Sequence, residues 1–335
     1  MKALMSETAV ILAGAVAKGA YEAGALEVLA PHAQALNITR LVGASAGALN
    51  ASVFGVGLRA RAEQDVAKKL VHLWSDAATW HNVVDINWRD IFSLTGIATA
   101  DRVLELMKNA VDGLRFASPR EVGVCLVVTA LEGNRGKIGR DVATTFEHSV
   151  HFQNEDLDTV PDRDRLFRTA LGSAAFPVLF APVEVPGVGA CIDGGTVNNA
   201  PVRLALWGKS QIQRIIVISP EPLITRPPEP LSGQNLLGHV SEIIINERLY
   251  RDLHDAESVN EDLRKLEHLK AEGIPADAIE RVKQVLGWRP LNIVQIRPSK
   301  PLEGNAFEGF GKPALRAAHI EAGRRAAREM LGALV

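Results

Sequence analysis

The stretch Leu41-Val42-Gly43-Ala44-Ser45-Ala46-Gly47-Ala48-Leu49 contains the pattern G-x-S-x-G, centred on Ser45. An apolar run precedes the motif and a helical run follows it, and in this strand–turn–helix context the pattern presents a serine on a sharp turn. Small residues are expected at Gly43, Ala46 and Gly47, because larger side chains would clash where the helix approaches the strand. The helix N-terminus would also stabilise negative charge near the serine. The motif therefore predicts a nucleophilic Ser45, against the alternative of a small-residue turn with an incidental serine.

The sequence on both sides of this motif alternates apolar runs with helical patterns. Runs rich in Val, Ile and Leu predict strands over residues 9–13, 38–42, 123–129, 144–150, 214–219 and 291–296. Apolar spacing of three or four predicts helices over residues 20–29, 46–54, 62–73, 100–109, 164–172, 235–270 and 313–331. The strands are almost continuously apolar, which is typical of strands buried on both faces. We therefore expect an α/β fold with helices packed on a sheet.

A glycine-containing turn separates the first predicted strand from the first predicted helix. Residues 14–19 read Gly-Ala-Val-Ala-Lys-Gly. The turn is not a phosphate-binding loop, because its lysine precedes the last glycine, and a valine occupies the middle glycine position of G-x-G-x-x-G. A turn whose backbone N–H groups bind an oxyanion fits the residues better. The candidate oxyanion-hole residues are Gly14, Ala15, Val16, Lys18 and Gly19.

A serine nucleophile needs a proton acceptor, and the sequence offers two kinds. One is Asp193, followed by Gly194 and Gly195, which let the backbone approach another loop and aim the carboxylate. Apolar burial would raise the pKa of this carboxyl above its ordinary value of about 3.9 and make it a better base. Asp-Gly-Gly is also a common turn sequence. The other acceptor is a histidine of a Ser-Asp-His triad, with candidates His148, His151, His239, His254, His268 and His319.

The composition of the 335 residues is that of a globular protein. Hydrophobic residues make up 47% and charged residues 23% of the chain, which excludes a disordered protein. The 37 basic and 39 acidic residues give a net charge of −2, which argues against nucleic acid as a general partner. Two cysteines, Cys125 and Cys191, cannot form a disulfide framework, so a reducing compartment is favoured.

No apolar run reaches the ~18 residues that span a bilayer. Residues 8–17 have some character of a signal peptide, but a buried first strand fits them better. The expected location is the cytoplasm, with peripheral membrane contact as an open alternative. Residues 220–233, rich in proline, are the best candidate for an internal boundary. Residues 74–94, with Trp80, Trp88, Ile91 and Phe92, are a candidate lid or interfacial contact, with core packing as the alternative.

Three motifs in order resemble the patatin-like phospholipases. They are the glycine loop ending in Lys18-Gly19, the G-x-S-x-G motif about thirty residues later, and the distant Asp193-Gly194-Gly195. The similarity extends to residues 18–26, 170–177 and 180–183. It implies a three-layer αβα sandwich with a mostly parallel central sheet. It also implies a catalytic core over residues 8–204, with residues 205–335 adding strands and long helices to the same unit.

The resemblance further implies a chemistry. Ser45 matches the family's nucleophile and Asp193 its partner in a dyad without histidine. The implied reaction is hydrolysis of carboxylic esters in phospholipids, lysophospholipids or other acyl lipids through an acyl-enzyme. Residues 14–19 match the oxyanion hole, and neither a metal nor an organic cofactor is required. Head group, acyl position, chain length and oligomeric state stay open.

The glycine loop departs from the family pattern. The family usually has three glycines where this chain has Gly14, Ala15 and Val16. A β-branched valine rarely adopts a positive φ, so we expect Val16 to keep a negative φ or the loop to aim its donors differently. Loss of one oxyanion donor costs about 10²–10³ in kcat. This departure motivates an alternative function, a catalytically impaired lipid-binding or interaction protein on the same fold. A third alternative is a triad esterase that uses a later histidine.

Overall fold

The computed structural model describes residues 6–83, 101–138, 141–177, 179–207, 211–222 and 233–334. Within these ranges the strands are β1 (Glu7–Leu12), β2 (Ile38–Ala44), β3 (Gly123–Ile138), β4 (Asp141–Gln153), β5 (Val183–Val185), β6 (Gly189–Ile192), β7 (Ile212–Ile218) and β8 (Asn292–Ile296). The α-helices are α1 (Gly19–Leu29), α2 (Ala46–Arg59), α3 (Glu63–His72), α4 (Trp80–Val83), α5 (Asp101–Val111), α6 (Val160–Ala174), α7 (Gly233–Ala271), α8 (Ala276–Leu286) and α9 (Pro313–Leu334).

The strands form one mixed sheet in the order β5-β6-β3-β2-β1-β7-β8, with β4 paired to β3. The central strands β3, β2, β1, β7 and β8 run parallel, whereas β4, β5 and β6 form antiparallel pairs. Parallel strands place their carboxyl ends at one edge, where α/β proteins commonly bind ligands. The mostly parallel α/β sheet predicted from the sequence is confirmed.

Strand β1 shows why helices cover both faces of the sheet. Val10 and Leu12 point into the larger apolar core, while Ala9 and Ile11 point into a second one. The larger core includes apolar residues of α1, α2, α3, α5, α6 and α9. The second includes Leu249 and Leu253 of α7. Successive strand residues point to opposite faces, so a continuously apolar strand needs a cover on each side.

Sequence patterns located most of these elements to within a few residues. The predicted strands correspond to β1, β2, β3, β4, β7 and β8, and the predicted helices to α1, α2, α3, α5, α6, α7 and α9. The prediction of burial on both faces is wrong for β4, whose residues 143–151 are half-buried or exposed because it pairs with the outer side of β3. The short elements β5, β6 and α4 were not predicted, and neither was the mostly exposed α8.

Two regions of interest from the sequence lie partly outside the described residues. Trp88, Ile91 and Phe92 of the candidate lid fall within residues 84–100, and most of the candidate boundary falls within residues 223–232. Among the described helices, none is both long and apolar enough to cross a bilayer.

The last helix packs closely against the first. Gly24 of α1 and Gly323 of α9 meet the backbone of the opposite helix, and an added Cβ at either glycine would overlap a carbonyl there. Arg324 reinforces the contact through a 2.6 Å ion pair with Glu27. The carboxyl-terminal part of the chain is therefore built into the same packed body as the first strand and helix.

Candidate active site

The turn at Ser45 joins β2 to α2 in a conformation that is unusual for a side-chain-bearing residue. Ser45 has φ +54° and ψ −130°, a region that usually costs about 1–3 kcal/mol outside glycine. Two glycines make the turn sterically feasible. A Cβ on Gly47 would overlap the carbonyl of Leu12 in β1, and a Cβ on Gly43 would lie 2.6 Å from the carbonyl oxygen of Gly47. The turn therefore has the backbone geometry of a nucleophile elbow.

Ser45 and Asp193, 148 residues apart, are brought into direct contact. The Ser45 hydroxyl donates a 2.6 Å hydrogen bond to Oδ2 of Asp193, and both residues are buried. Strand β6 carries Asp193 to this point, because Ile192 pairs with Thr129 beyond the end of β2. The Asp193 N–H then donates to the carbonyl of Ala175 at 2.9 Å.

The environment of Asp193 makes its carboxylate unusually basic. Complete burial raises the pKa of Asp193 to about 7, although hydrogen bonds from the Ser45 hydroxyl and the Gly195 N–H lower it. The Gly195 N–H donates to Oδ1 at 2.7 Å, which leaves Oδ2 directed at the serine. A carboxylate with a pKa near neutrality can accept a proton from a hydroxyl in the transition state.

Two further side chains hold the site together, and the sequence motifs did not single them out. Ser173 accepts the Ser45 N–H at 2.9 Å and donates to the carbonyl of Val127 at 2.5 Å, which fixes the strained turn. Asn199 exchanges hydrogen bonds with Gly14, through backbone N–H to carbonyl at 3.1 Å and side-chain amide to carbonyl at 3.2 Å. Ser173 lies within residues 170–177, which resemble the family, and Asn199 lies four residues beyond Gly195. Their closeness to these stretches is the sequence signal that could have identified them.

The glycine loop lies beside the serine. A Cβ added to Gly14 would lie 2.9 Å from Cβ of Ser45, and Val16 lines the same cavity as Ser45. The N–H groups of Ala15 and Val16 donate to no acceptor within the described part of the chain. These two groups remain candidate donors for the oxyanion hole predicted from the sequence.

Of the two alternatives expected for Val16, the negative φ is wrong, because Val16 adopts φ +50°. The other alternative, donors aimed differently, stays a prediction. The valine thus takes the backbone conformation that a glycine would favour. One long-range and one local hydrogen bond hold the residues on either side of Val16. The Ala17 N–H donates to the carbonyl of Ala306 at 3.0 Å, and the next residue, Lys18, donates its N–H to Ala15 at 2.9 Å. Two other residues of the predicted oxyanion loop, Lys18 and Gly19, contact residues outside the loop. Lys18 Nζ lies 3.7 Å from Oε1 of the buried Glu221, and Gly19 packs against the ring of Trp74.

This strain predicts an inverted order of stability at position 16. Val16→Gly should be more stable than Val16→Ala by about 1 kcal/mol, because both variants lose the valine methyls and only alanine keeps a Cβ at positive φ. At positions with negative φ the alanine variant is normally the more stable one. Urea denaturation of the two variants measures the difference. A Val16→Ala protein as stable as Val16→Gly would contradict the strain.

Ser45 and Asp193 lie at the wall of an apolar cavity of about 300 Å³. Residues of α2, α3, α5 and α6 line it, among them Val53, Leu70, Leu104, Met107 and Leu171, and the lining also includes Asp101 and Arg168. This volume is at the lower end of the range typical of small-molecule sites. The cavity therefore suits an apolar ligand that reaches the serine.

Asn50 lines this cavity, but its polar atoms bond to protein groups. Its amide nitrogen donates to Glu22 Oε2 at 2.9 Å and to the Gly19 carbonyl at 3.1 Å. Its amide oxygen accepts the indole N–H of Trp74 at 2.7 Å. Burial raises the pKa of Glu22 well above its ordinary value. The network fixes Trp74 in the wall.

Three of the candidate histidines make hydrogen bonds to residues other than Ser45 and Asp193. His319 bonds to the carbonyl of Glu303 at 2.9 Å, His151 to Ser149 at 3.1 Å, and His148 to Asn134 at 3.0 Å. The side chain of His239 lies outside the described set. No group of three or more metal-ligating side chains occurs among the residues that the structure describes.

Residues 10–206 match the family model described as Patatin-like phospholipase. The chain belongs to the patatin-like phospholipase family. At the level of the family, this assigns the protein to the acyl hydrolases of lipids. Among solved structures, VipD from Legionella pneumophila is similar at 14% identity and a TM-score of 0.42, over 98% of this chain and 67% of VipD. The type III effector ExoU is similar at 14% identity and a TM-score of 0.36, over 98% of this chain and 53% of ExoU. No curated protein is significantly similar in sequence.

Proposed function

We propose that this patatin-like protein is a serine esterase with a Ser45–Asp193 dyad, acting on phospholipids, lysophospholipids or other acyl lipids. The observation that carries the proposal is the 2.6 Å hydrogen bond from Ser45 to a buried aspartate at the wall of an apolar cavity. A nucleophile needs a base within about 2.6–3.2 Å, and this pair meets that condition. Within the described part of the chain, no histidine side chain forms a hydrogen bond with either residue.

In the first half-reaction, Ser45 Oγ attacks the ester carbonyl carbon and its proton passes to Oδ2 of Asp193. The carbonyl π-bond electrons move to oxygen, and the free N–H groups of Ala15 and Val16 stabilise this oxyanion. The N-terminus of α2 adds favourable potential. The tetrahedral intermediate then breaks the bond to the alcohol oxygen, which leaves as an alcohol after taking the proton from Asp193.

In the second half-reaction, water attacks the acyl-enzyme carbonyl and gives a proton to Asp193. The bond to Ser45 Oγ breaks, the proton returns to that oxygen, and a carboxylic acid is released. Asp193 thus accepts and donates one proton in each half-reaction, which a pKa of about 7 permits at neutral pH. The apolar cavity would hold the acyl chain, so the expected substrates carry a hydrocarbon acyl group.

A fluorophosphonate probe tests the proposal directly, because it reacts with activated serines. The wild-type protein should be labelled, and Ser45→Ala should not. Ser118→Ala, which removes an exposed serine hydroxyl, is the matched control and should label as the wild type does. Hydrolysis of phospholipid and lysophospholipid panels then identifies the substrate class. Absence of Ser45-dependent labelling would overturn the proposal and favour a non-catalytic lipid-binding protein.

The histidine requirement separates the dyad from a triad. Single substitution of each of the nine histidines should leave fluorophosphonate labelling intact. Loss of labelling in one stable variant would favour a triad esterase.

The raised pKa of Asp193 predicts the pH profile. The base must be ionised, so kcat/KM should rise with pH, level off above about pH 7, and fall about tenfold per unit below about pH 6. Steady-state kinetics of a soluble ester from pH 5 to pH 9 measure the profile. If Asp193 had the ordinary pKa of an aspartate, kcat/KM would instead not change with pH until about pH 4.

A further inference from the structure

The segment 305–311 between β8 and α9 lies about 100 residues beyond the family match, yet it contacts the candidate site. The carbonyl of Ala306 accepts the Ala17 N–H, next to the strained Val16. Gly309 packs on Ala17, and a Cβ on this glycine would lie 2.9 Å from that of Ala17. Phe310 is buried and lines the cavity that contains Ser45. The segment therefore forms part of the cavity wall.

Aromatic contacts connect this segment to Trp80 and to Phe176. The ring of Phe310 packs edge-on against Trp80, with centroids 5.1 Å apart. The ring of Phe307 packs edge-on against Phe176 at 5.4 Å, and Phe176 also lines the cavity. Edge-on aromatic pairs stabilise the packing beyond the apolar area that they bury. Phe310 is thus packed in a defined position.

Polar contacts fix the backbone of the segment. Asn305 Oδ1 accepts the N–H groups of Phe307 and Glu308, both at 3.0 Å. The guanidinium of Arg316 in α9 is buried and donates to the carbonyl of Gly309 at 2.6 Å. Its other nitrogens donate to the carbonyl of Ser75 at 3.1 and 2.9 Å. Arg316 therefore ties the segment to residues 73–77, a stretch that also lines the cavity.

We infer that Phe310 limits the size of the acyl chain that this protein accepts, so that the carboxyl-terminal segment, outside the matched catalytic region, determines acyl selectivity. The inference rests on the proposed function and concerns the length of the acyl chain that the site accepts. The ring fills space at the cavity wall that a longer acyl chain would need for its additional methylenes. The ring packs against Trp80. The backbone that carries it is fixed by Arg316 and by the contacts of Ala306 and Gly309 with Ala17. A rigid wall excludes longer chains more strongly than a mobile one.

The test compares Phe310→Ala with Phe146→Ala, which removes a ring that is 47% exposed on β4. We measure kcat/KM for p-nitrophenyl esters from butyrate to palmitate. In Phe310→Ala the palmitate-to-butyrate ratio should rise about tenfold, which is the lower range for one methylene in an apolar pocket. In Phe146→Ala the ratio should stay at the wild-type value. An unchanged ratio in an active Phe310→Ala enzyme would overturn the inference.

Two measurements keep this test independent of folding and of the proposed function. Phe310→Leu retains an apolar side chain and should shift the ratio in the same direction if the alanine variant fails to fold. Displacement of a fluorescent fatty acid reads the same selectivity without catalysis, and Phe310→Ala should gain affinity for palmitate relative to octanoate. If no Ser45-dependent labelling occurs but the affinity shift is observed, the proposed esterase activity is refuted and the limit that Phe310 sets on acyl-chain size is supported. If labelling depends on Ser45 but Phe310→Ala changes neither the palmitate-to-butyrate ratio of kcat/KM nor the fatty-acid affinity, only the acyl-size limit is refuted.

Discussion

Asp193→Asn should lower kcat by about 10⁴-fold, the size of effect that follows when a catalytic serine loses its base system. The asparagine amide can keep the hydrogen bond from the Gly195 N–H through its oxygen, so the turn after β6 should survive. Its nitrogen would then face Ser45 as a donor and could not accept the hydroxyl proton. The variant should therefore fold and still fail to activate the serine. Initial rates on a p-nitrophenyl ester measure the loss.

Asp262→Asn is the matched control for this substitution. Asp262 is half-buried on α7, its side chain is 43% exposed, and it pairs with Lys265. Its kcat should equal the wild-type value. Thermal unfolding of both variants shows whether the fold is retained. A folded Asp193→Asn enzyme with kcat within tenfold of the wild type would eliminate Asp193 as the base.

Gly47→Ala should destabilise the protein by on the order of 3 kcal/mol, at the upper end of overpacking effects. The added Cβ would overlap the Leu12 carbonyl and lie 2.9 Å from that of Ala13. Both groups belong to the backbone at the end of β1, at the centre of the sheet, so neither can rotate away as a side chain would. Relief requires α2 to move from β1, which would also displace Ser45. Urea denaturation measures the loss of stability.

Gly332→Ala is the control for an added methyl group. Gly332 lies near the end of α9, and an added Cβ there would meet no atom within 4 Å. Alanine is favoured over glycine in helices by up to about 1 kcal/mol, so this variant should be as stable as the wild type or slightly more stable. Equal stability of Gly47→Ala and the wild type would show that the elbow has room for a side chain.

The sequence located the elements and the candidate residues better than their environments. Apolar periodicity depends on neighbours within a few residues, which is why β2, α2 and the turn between them could be predicted. The three-residue β5 and four-residue β6 have too few positions to show a period, although β6 carries Asp193 to Ser45. The division of the chain after residue 204 stays a prediction. Strand β7 lies after this point in the chain, yet it pairs directly with β1.

The amino-acid sequence by itself determined the α/β class, the sharp turn at Ser45 and the list of candidate acceptors, because each follows from local spacing and residue size. The family resemblance implied Asp193 as the acceptor, and tertiary structure places it in contact with Ser45. Tertiary structure alone decided the raised pKa of Asp193, the positive φ of Val16 and the place of Phe310 in the cavity wall. Each of these depends on burial or on contacts between residues more than 100 positions apart. Such contacts leave no periodic signal along the chain, since they form only when the sheet and helices pack.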